Sequence, residues 1–258
     1  MSMVLTFDIG NTNITLCGFV SDKIAFVSRI SADTSVTSDE FAFRIINSLS
    51  LHGVDRNDIS GVIAASVVPP LNASLKRAVR FVFGQDVLFV GPGIKSGIVI
   101  QCDIPSSVGA DLIAAAVATH NIYGSPSLII DIGTATKMTV MNRKGAFIGT
   151  SIIPGVMMGL NALAEKTAQL PKISLDMPES VIAKNTADCM RSGVLFGNAS
   201  LIDGMIDRIT EEFGEELKVY ATGGMASTVI PLCKHDIRVD EHLVSKGLNI
   251  IYHKNRAG

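Results

Sequence analysis

Two aspartates stand at the ends of apolar runs in closely similar surroundings: Asp8 in LTFDIGNTNITLC, Leu5 to Cys17, and Asp131 in LIIDIGTATKMTV, Leu128 to Val140. In each copy a Gly and a Thr follow and β-branched residues resume, the pattern of a strand, a tight turn and a second strand. The Gly suits a backbone that turns sharply or comes close to a ligand. A carboxylate at the end of a buried strand is costly unless it meets a cation or donors. The adjoining turn offers backbone N–H groups and hydroxyls, so each copy suits a metal on one side and a phosphate on the other. Asp8 is the candidate Mg2+ residue with Asp131 as its partner, since this ion is satisfied by one or two carboxylates and several waters. The candidate nucleotide-binding residues of the turns are Asp8, Gly10, Asn11, Thr12, Asn13, Gly133 and Thr134, with Thr136 a further possible donor. A third carboxylate, Asp111, precedes the small-residue run Leu112 to His120. If that run is a helix capped by Ser106 or Ser107, Asp111 is either a first-turn residue at its N-terminus or a general base toward a substrate hydroxyl. Gly223-Gly224, behind the strand pattern Leu217 to Thr222, suits a backbone passing beneath an adenine or ribose.

The rest of the inventory narrows the chemistry. Five histidines occupy no metal spacing, four cysteines fall singly without a C-x-x-C pair, and no G-x-S-x-G elbow surrounds a serine. The connector Gly91 to Gly97, GPGIKSG, lacks the spacing of a P-loop and reads as a flexible crossing. Carboxylates, hydroxyls and glycines fit phosphoryl transfer, which needs positioned phosphates, a divalent cation and an oriented acceptor. Of 258 residues 47% are hydrophobic and 18% charged, with a net charge of -2, so no basic stripe speaks for nucleic acid or an anionic membrane. The opening segment lacks a basic n-region and contains Asp8, and the scattered cysteines suit a reduced compartment, so a cytoplasmic protein is expected.

Around each turn the same elements recur. Ile14 to Val20 and Ile24 to Ile30 extend the first strand into a meander; a helix over Asp39 to Leu51, a strand over Gly61 to Val68, a helix over Leu71 to Phe83 and a strand over Asp86 to Val90 follow. The second copy gives strands at Leu128 to Asp131, Thr136 to Met141 and Ala146 to Ile153, and a helix over Val156 to Lys166. A long helix over Asn185 to Arg208, broken or relaxed around Gly193 and Gly197, precedes the strand Leu217 to Ala221. A helix over Ala226 to Cys233, a short strand Ile237 to Val239 and a closing helix Leu243 to Tyr252 complete it. The expected fold class is α/β: two like domains, residues 1–110 and 111–258, each a mixed five-stranded sheet flanked by helices, with a cleft between them.

Read together, these segments resemble the type III pantothenate kinases, within the superfamily of acetate and sugar kinases, actin and heat-shock chaperones. The resemblance rests on D-x-G-N-T at Asp8 to Thr12, A-S-V-V-P at Ala65 to Pro69, G-I-K-S-G at Gly93 to Gly97, V-G-A-D at Val108 to Asp111 and D-x-G-T-A-T at Asp131 to Thr136. It continues through I-x-P-G at Ile152 to Gly155, T-A-x-L-P at Thr167 to Pro171, Asn185-Thr186 and Thr222-Gly223-Gly224. It implies two ribonuclease H-like (actin-like ATPase) domains and ATP-dependent phosphorylation of pantothenate to 4'-phosphopantothenate, the first step of coenzyme A synthesis. It implies Asp111 as base, Asp8 as metal residue, Asp131 in the cation and phosphate region, and Gly109, Ala110, Asp111 and Thr186 at pantothenate. Mg2+, a monovalent cation (K+ or NH4+) and a homodimer with its substrate pocket at the dimer interface are implied too. The family usually has Arg after the base Asp and Thr after D-x-G-T-A-T; this chain has Leu112 and Lys137. Cys102-Asp103-Ile104-Pro105 stands where Y-D-N-P is common. These departures keep two alternatives open: a weakly active or inactive accessory protein that binds nucleotide, and a kinase for another small hydroxylated acid. Lys137 would supply the charge of the monovalent ion in the second turn.

Overall fold

The computed structural model describes Ser2 to Arg256; Met1, Ala257 and Gly258 lie outside the described residues. Strands β1 (Met3–Ile9), β2 (Asn13–Val20) and β3 (Lys23–Ser31) form the expected meander, followed by α1 (Ser38–Leu51), β4 (Ile59–Ser66), α2 (Pro69–Phe83), β5 (Val87–Phe89) and α3 (Ala110–Tyr123). The second series is β6 (Ser127–Ile132), β7 (Ala135–Met141), β8 (Phe147–Pro154), α4 (Val156–Lys166), α5 (Thr186–Phe213), β9 (Lys218–Thr222), α6 (Ala226–Val229), β10 (Ile237–Val239) and α7 (Leu243–Arg256). The first sheet runs β3-β2-β1-β4-β5 and the second β8-β7-β6-β9-β10, the same order built from the same succession of strands. In both, the hairpin strands pair antiparallel and the later strands join in parallel. A parallel pair brings two C-terminal ends to one edge, the usual place for ligands in sheets of this kind.

Local chemistry sets the helix limits. Thr37 and Glu40 make a reciprocal capping box at the start of α1. Pro69 and Pro70 open α2, where their missing N–H groups are tolerated, and Gly84 closes it at a left-handed φ of 66°. Ser106 and Ser107 do not cap α3: they lie in a separate 3-10 turn, where Ser107 Oγ donates to Ile104 O. The connector from Gly91 to Gly97 is tied down, because Lys95 N donates to Asn255 Oδ1 and Asn255 Nδ2 donates to Lys95 O.

The compact units divide elsewhere than at residue 110. One runs through Tyr123 and takes up the chain again at His242; the other is Gly124–Glu241. The reason lies in α3, whose residues Ala110 through Thr119 are all buried. A helix without a polar stripe needs cover all round. It obtains that cover from β4 and from α7, which the chain sends back to the first unit. Gly247 makes the approach possible, since a Cβ there would run into the Ala114 backbone. On the other face Leu5, Phe7 and Ile9 of β1 share a core with Phe41, Ile45, Leu71 and Leu75. In the second unit Leu128, Ile130 and Ile132 pack with Val156, Leu160, Leu195 and Ile202 of α4 and α5.

Candidate functional site

In the first unit Asp8 is the penultimate residue of β1 and is half-buried. Side chains alternate across a strand. With Leu5, Phe7 and Ile9 in the α1/α2 core, Asp8 falls on the opposite face with Thr6, the face α7 covers. Cys17, paired with Thr6, makes an Sγ–Oγ contact of 3.2 Å with Ser245 of α7. Burial pushes the Cys17 thiol above its ordinary range, against the lowering effect of the Ser245 contact, so Cys17 is no nucleophile. The turn after Asp8 is closed by Gly10 N donating to Asn13 O at 3.0 Å, and it leaves Asn11, Thr12 and Asn13 exposed. The parallel partner β4 sets Ala65 beside Asp8 and Ser66 beside Ile9.

Asp111 occupies the first turn of α3 in the same unit and is 8% exposed. One carboxylate oxygen accepts from Leu112 N at 2.9 Å. The side chain folds back over Gly109, where a Cβ would lie 2.5 Å from Oδ1. That explains the glycine: any side chain there would displace the carboxylate. The N-terminus of a helix, with its outward N–H groups, is a favourable place for a negative charge. Ala110 and Leu112 flank Asp111 and are themselves buried. The base candidate thus sits on an apolar helix that fixes its backbone.

In the second unit Asp131 takes the corresponding place on β6, with Lys137 of β7 and Thr222 of β9 opposite it in register. Lys137 Nζ lies 3.0 Å from Asp131 Oδ2, both side chains mostly buried. Three glycines close around the turn. Gly133 N donates to Ala135 O. Gly155 lies so near Thr134 O that a Cβ would collide with it, and Gly223, at φ +94°, would place a Cβ 2.6 Å from Asp131 Oδ1 and from Ile132 O. Gly224 faces open space. Thr134 follows Gly133 in the turn itself. Thr136 does not join this group: it pairs with Ile132, on the face opposite Asp131, and its Oγ1 is buried without a hydrogen-bond partner. In the sequence Gly155 stands within I-x-P-G, where Pro154-Gly155 stops a strand and starts a helix, a role separate from its fit against this turn. The signal was the hairpin register, which pairs Ala135 with Pro154 and so brings Gly155 to the turn.

Thr186 begins α5, exposed, behind the N-cap Asn185, whose side chain accepts from Asp188 N. It shares a unit with Asp131, whereas Gly109, Ala110 and Asp111 share one with Asp8. A surface cavity of about 640 Å³ lies at the other end of β9, lined by Asp207, Glu211, Glu215, Glu216 and Asp236 among others. So many carboxylates repel a phosphate, so this cavity does not suit the terminal phosphates of a nucleotide. No group of three or more His, Cys, Asp or Glu able to hold a metal occurs among the described residues. Mg2+ requires fewer: a half-buried carboxylate at the mouth of a glycine turn, completed by waters and phosphate oxygens, fits the ion.

Residues 4–208 match the family model described as type III pantothenate kinase. A type III pantothenate kinase from Geobacter sulfurreducens is 39% identical over 254 residues, covering 98% of this chain and 100% of that protein. Among solved structures, a conserved putative Baf family transcriptional activator from Campylobacter jejuni superposes with a TM-score of 0.61 at 20% identity, over 98% of this chain and 100% of that one. The activator of 2-hydroxyisocaproyl-CoA dehydratase from Clostridium difficile, solved with bound ADPNP, gives a TM-score of 0.57 at 14% identity, over 99% and 96%. At such identities the two structures speak for the fold alone, that of the actin-like ATPases.

Proposed function

The chain belongs to the type III pantothenate kinase family, and from that premise we propose that it transfers the γ-phosphoryl group of ATP to the primary hydroxyl of pantothenate, giving 4'-phosphopantothenate for coenzyme A synthesis. The observation that carries the site assignment is Asp111, a buried carboxylate fixed at the start of an apolar helix and bent over a glycine. Asp111 accepts the proton of the substrate hydroxyl. In a loose phosphoryl-transfer transition state that proton leaves late, so the carboxylate chiefly orients the acceptor. Gly109 and Ala110 border the same acceptor position, and Thr186 offers its hydroxyl to pantothenate.

Asp8 holds Mg2+, directly or through water, and the turn from Gly10 to Asn13, closed by the Gly10 amide on Asn13 O, receives phosphate oxygens at Asn11 and Thr12. Mg2+ when bound neutralises charge on the transferred phosphoryl group. Gly133 and Thr134 serve phosphates in the second unit, with Asp131 in the cation region, and Gly223 and Gly224 border the nucleoside. The close fit of Gly155 and Gly223 against one turn supports this reading, because a turn packed on glycine backbone is held rigid. A cytoplasmic homodimer completes the proposal. Exposed Ile152, Met157, Met158 and Ile182 of the second unit are apolar surface that a second copy would cover.

Asp111→Asn keeps the side-chain volume and an oxygen for Leu112 N. It should lower kcat about 10²- to 10⁴-fold with nucleotide affinity and Tm unchanged, measured by coupled ADP release and by nucleotide titration. Near-normal turnover would remove Asp111 as the base.

A further inference from the structure

We propose that Lys137 is a phosphate-binding residue: its ammonium, held by Asp131, is the resident cation of the second glycine turn and engages the terminal phosphates of the bound nucleotide. The inference deepens the kinase reading and rests on it. Three observations carry it. Lys137 and Asp131 face each other across the β6–β7 pair, 3.0 Å apart, with side-chain exposures of only 21% and 16%. A surface lysine would stay in water, and burying an ammonium requires a partner charge.

The second observation comes from the repeat. In the first unit the residue opposite Asp8 is Thr15, reached across a turn one residue longer. The strand therefore does not require lysine at that register position. The third is the surrounding backbone: Gly133, Gly155 and Gly223 crowd the turn beside Asp131, so it presents main chain rather than side chains. An ammonium has three donors and can serve a carboxylate and a phosphate oxygen together. Lys137 thereby brings a positive charge to a turn whose nearest side chain is an acid, and Asp131 holds it in place. A free K+ or NH4+ has no task left at that position.

The test is calorimetric titration of the purified full-length chain with Mg-ADP, Mg-ATP and adenosine, without pantothenate, in sodium buffer free of potassium and ammonium. Lys137→Thr, which suits a strand, and Lys137→Met, which keeps the stem, are compared with wild type, and Tm is recorded for each. The expected result is about a 10- to 100-fold loss of Mg-ATP and Mg-ADP affinity in both variants, with adenosine affinity unchanged. Ammonium chloride should recover most of the loss in Lys137→Thr, at ionic strength matched with sodium chloride, and should not alter wild type. Unchanged nucleotide affinity in the folded variants, or a loss shared equally by adenosine, overturns the inference. Wild type that binds no adenine nucleotide at all overturns the kinase reading instead, and the inference with it.

Discussion

Gly223 links the residue scale to the site more directly than any carboxylate. It combines a left-handed backbone with a position where a Cβ would lie 2.6 Å from both Asp131 Oδ1 and Ile132 O, while a Cβ on its neighbour Gly224 would meet nothing. Gly223→Ala should therefore lower Tm, at a strain of roughly 1–3 kcal/mol, and weaken Mg-ATP binding at least severalfold. Gly224→Ala should change the Tm little, and thermal unfolding with a nucleotide titration separates the two. The types and spacing of Asp8, Asp131 and the following glycines were legible in the sequence because each strand–turn–strand pattern is local and occurs twice. The role of Gly155 was not, since its contact with Thr134 exists only once β7 and β8 have paired. The loss of Thr136 from the donor set has the same origin: strand alternation turns it to the other face, one residue from Lys137.

At the scale of elements, α3 and α7 decide how Asp111 is held. They pack where Gly247 meets the Ala114 backbone, and the added methyl of Gly247→Ala has no room there. Such overpacking costs typically about 1–3 kcal/mol, so the variant should unfold at lower urea concentration with an unchanged m-value. A midpoint equal to wild type would show that the two helices can separate without loss. Helical periodicity located these elements, but not their partners. The apolar run of α3 reads as a buried helix in the sequence, and only the return of α7 from the far end of the chain assigns it to the first unit. In α5 local preference lost to packing. Gly193 and Gly197 each cost about 1 kcal/mol in a helix interior, yet Thr186–Phe213 is continuous because Met190, Val194, Leu195, Ile202 and Ile206 bury one face.

For the whole molecule, the duplicated strand order is the property from which function follows. Two sheets with the same topology each end a strand in Asp-Ile just before a Gly turn, one supplying Asp8 in the unit that also holds Asp111 and the other supplying Asp131 with its lysine. This repeat was visible in the sequence as two copies of one pattern, and the family likeness covers nearly the whole chain. The net charge of -2 shows nothing of an anionic substrate, because the donors that would receive phosphate are backbone groups gathered only by folding. The most direct test of the account is release of ADP from Mg-ATP by the purified chain, with and without pantothenate, in buffer lacking potassium and ammonium. Pantothenate-dependent turnover in that buffer, little changed when either ion is added, is the predicted result. No pantothenate-dependent turnover in any of these buffers, from folded protein, would contradict it.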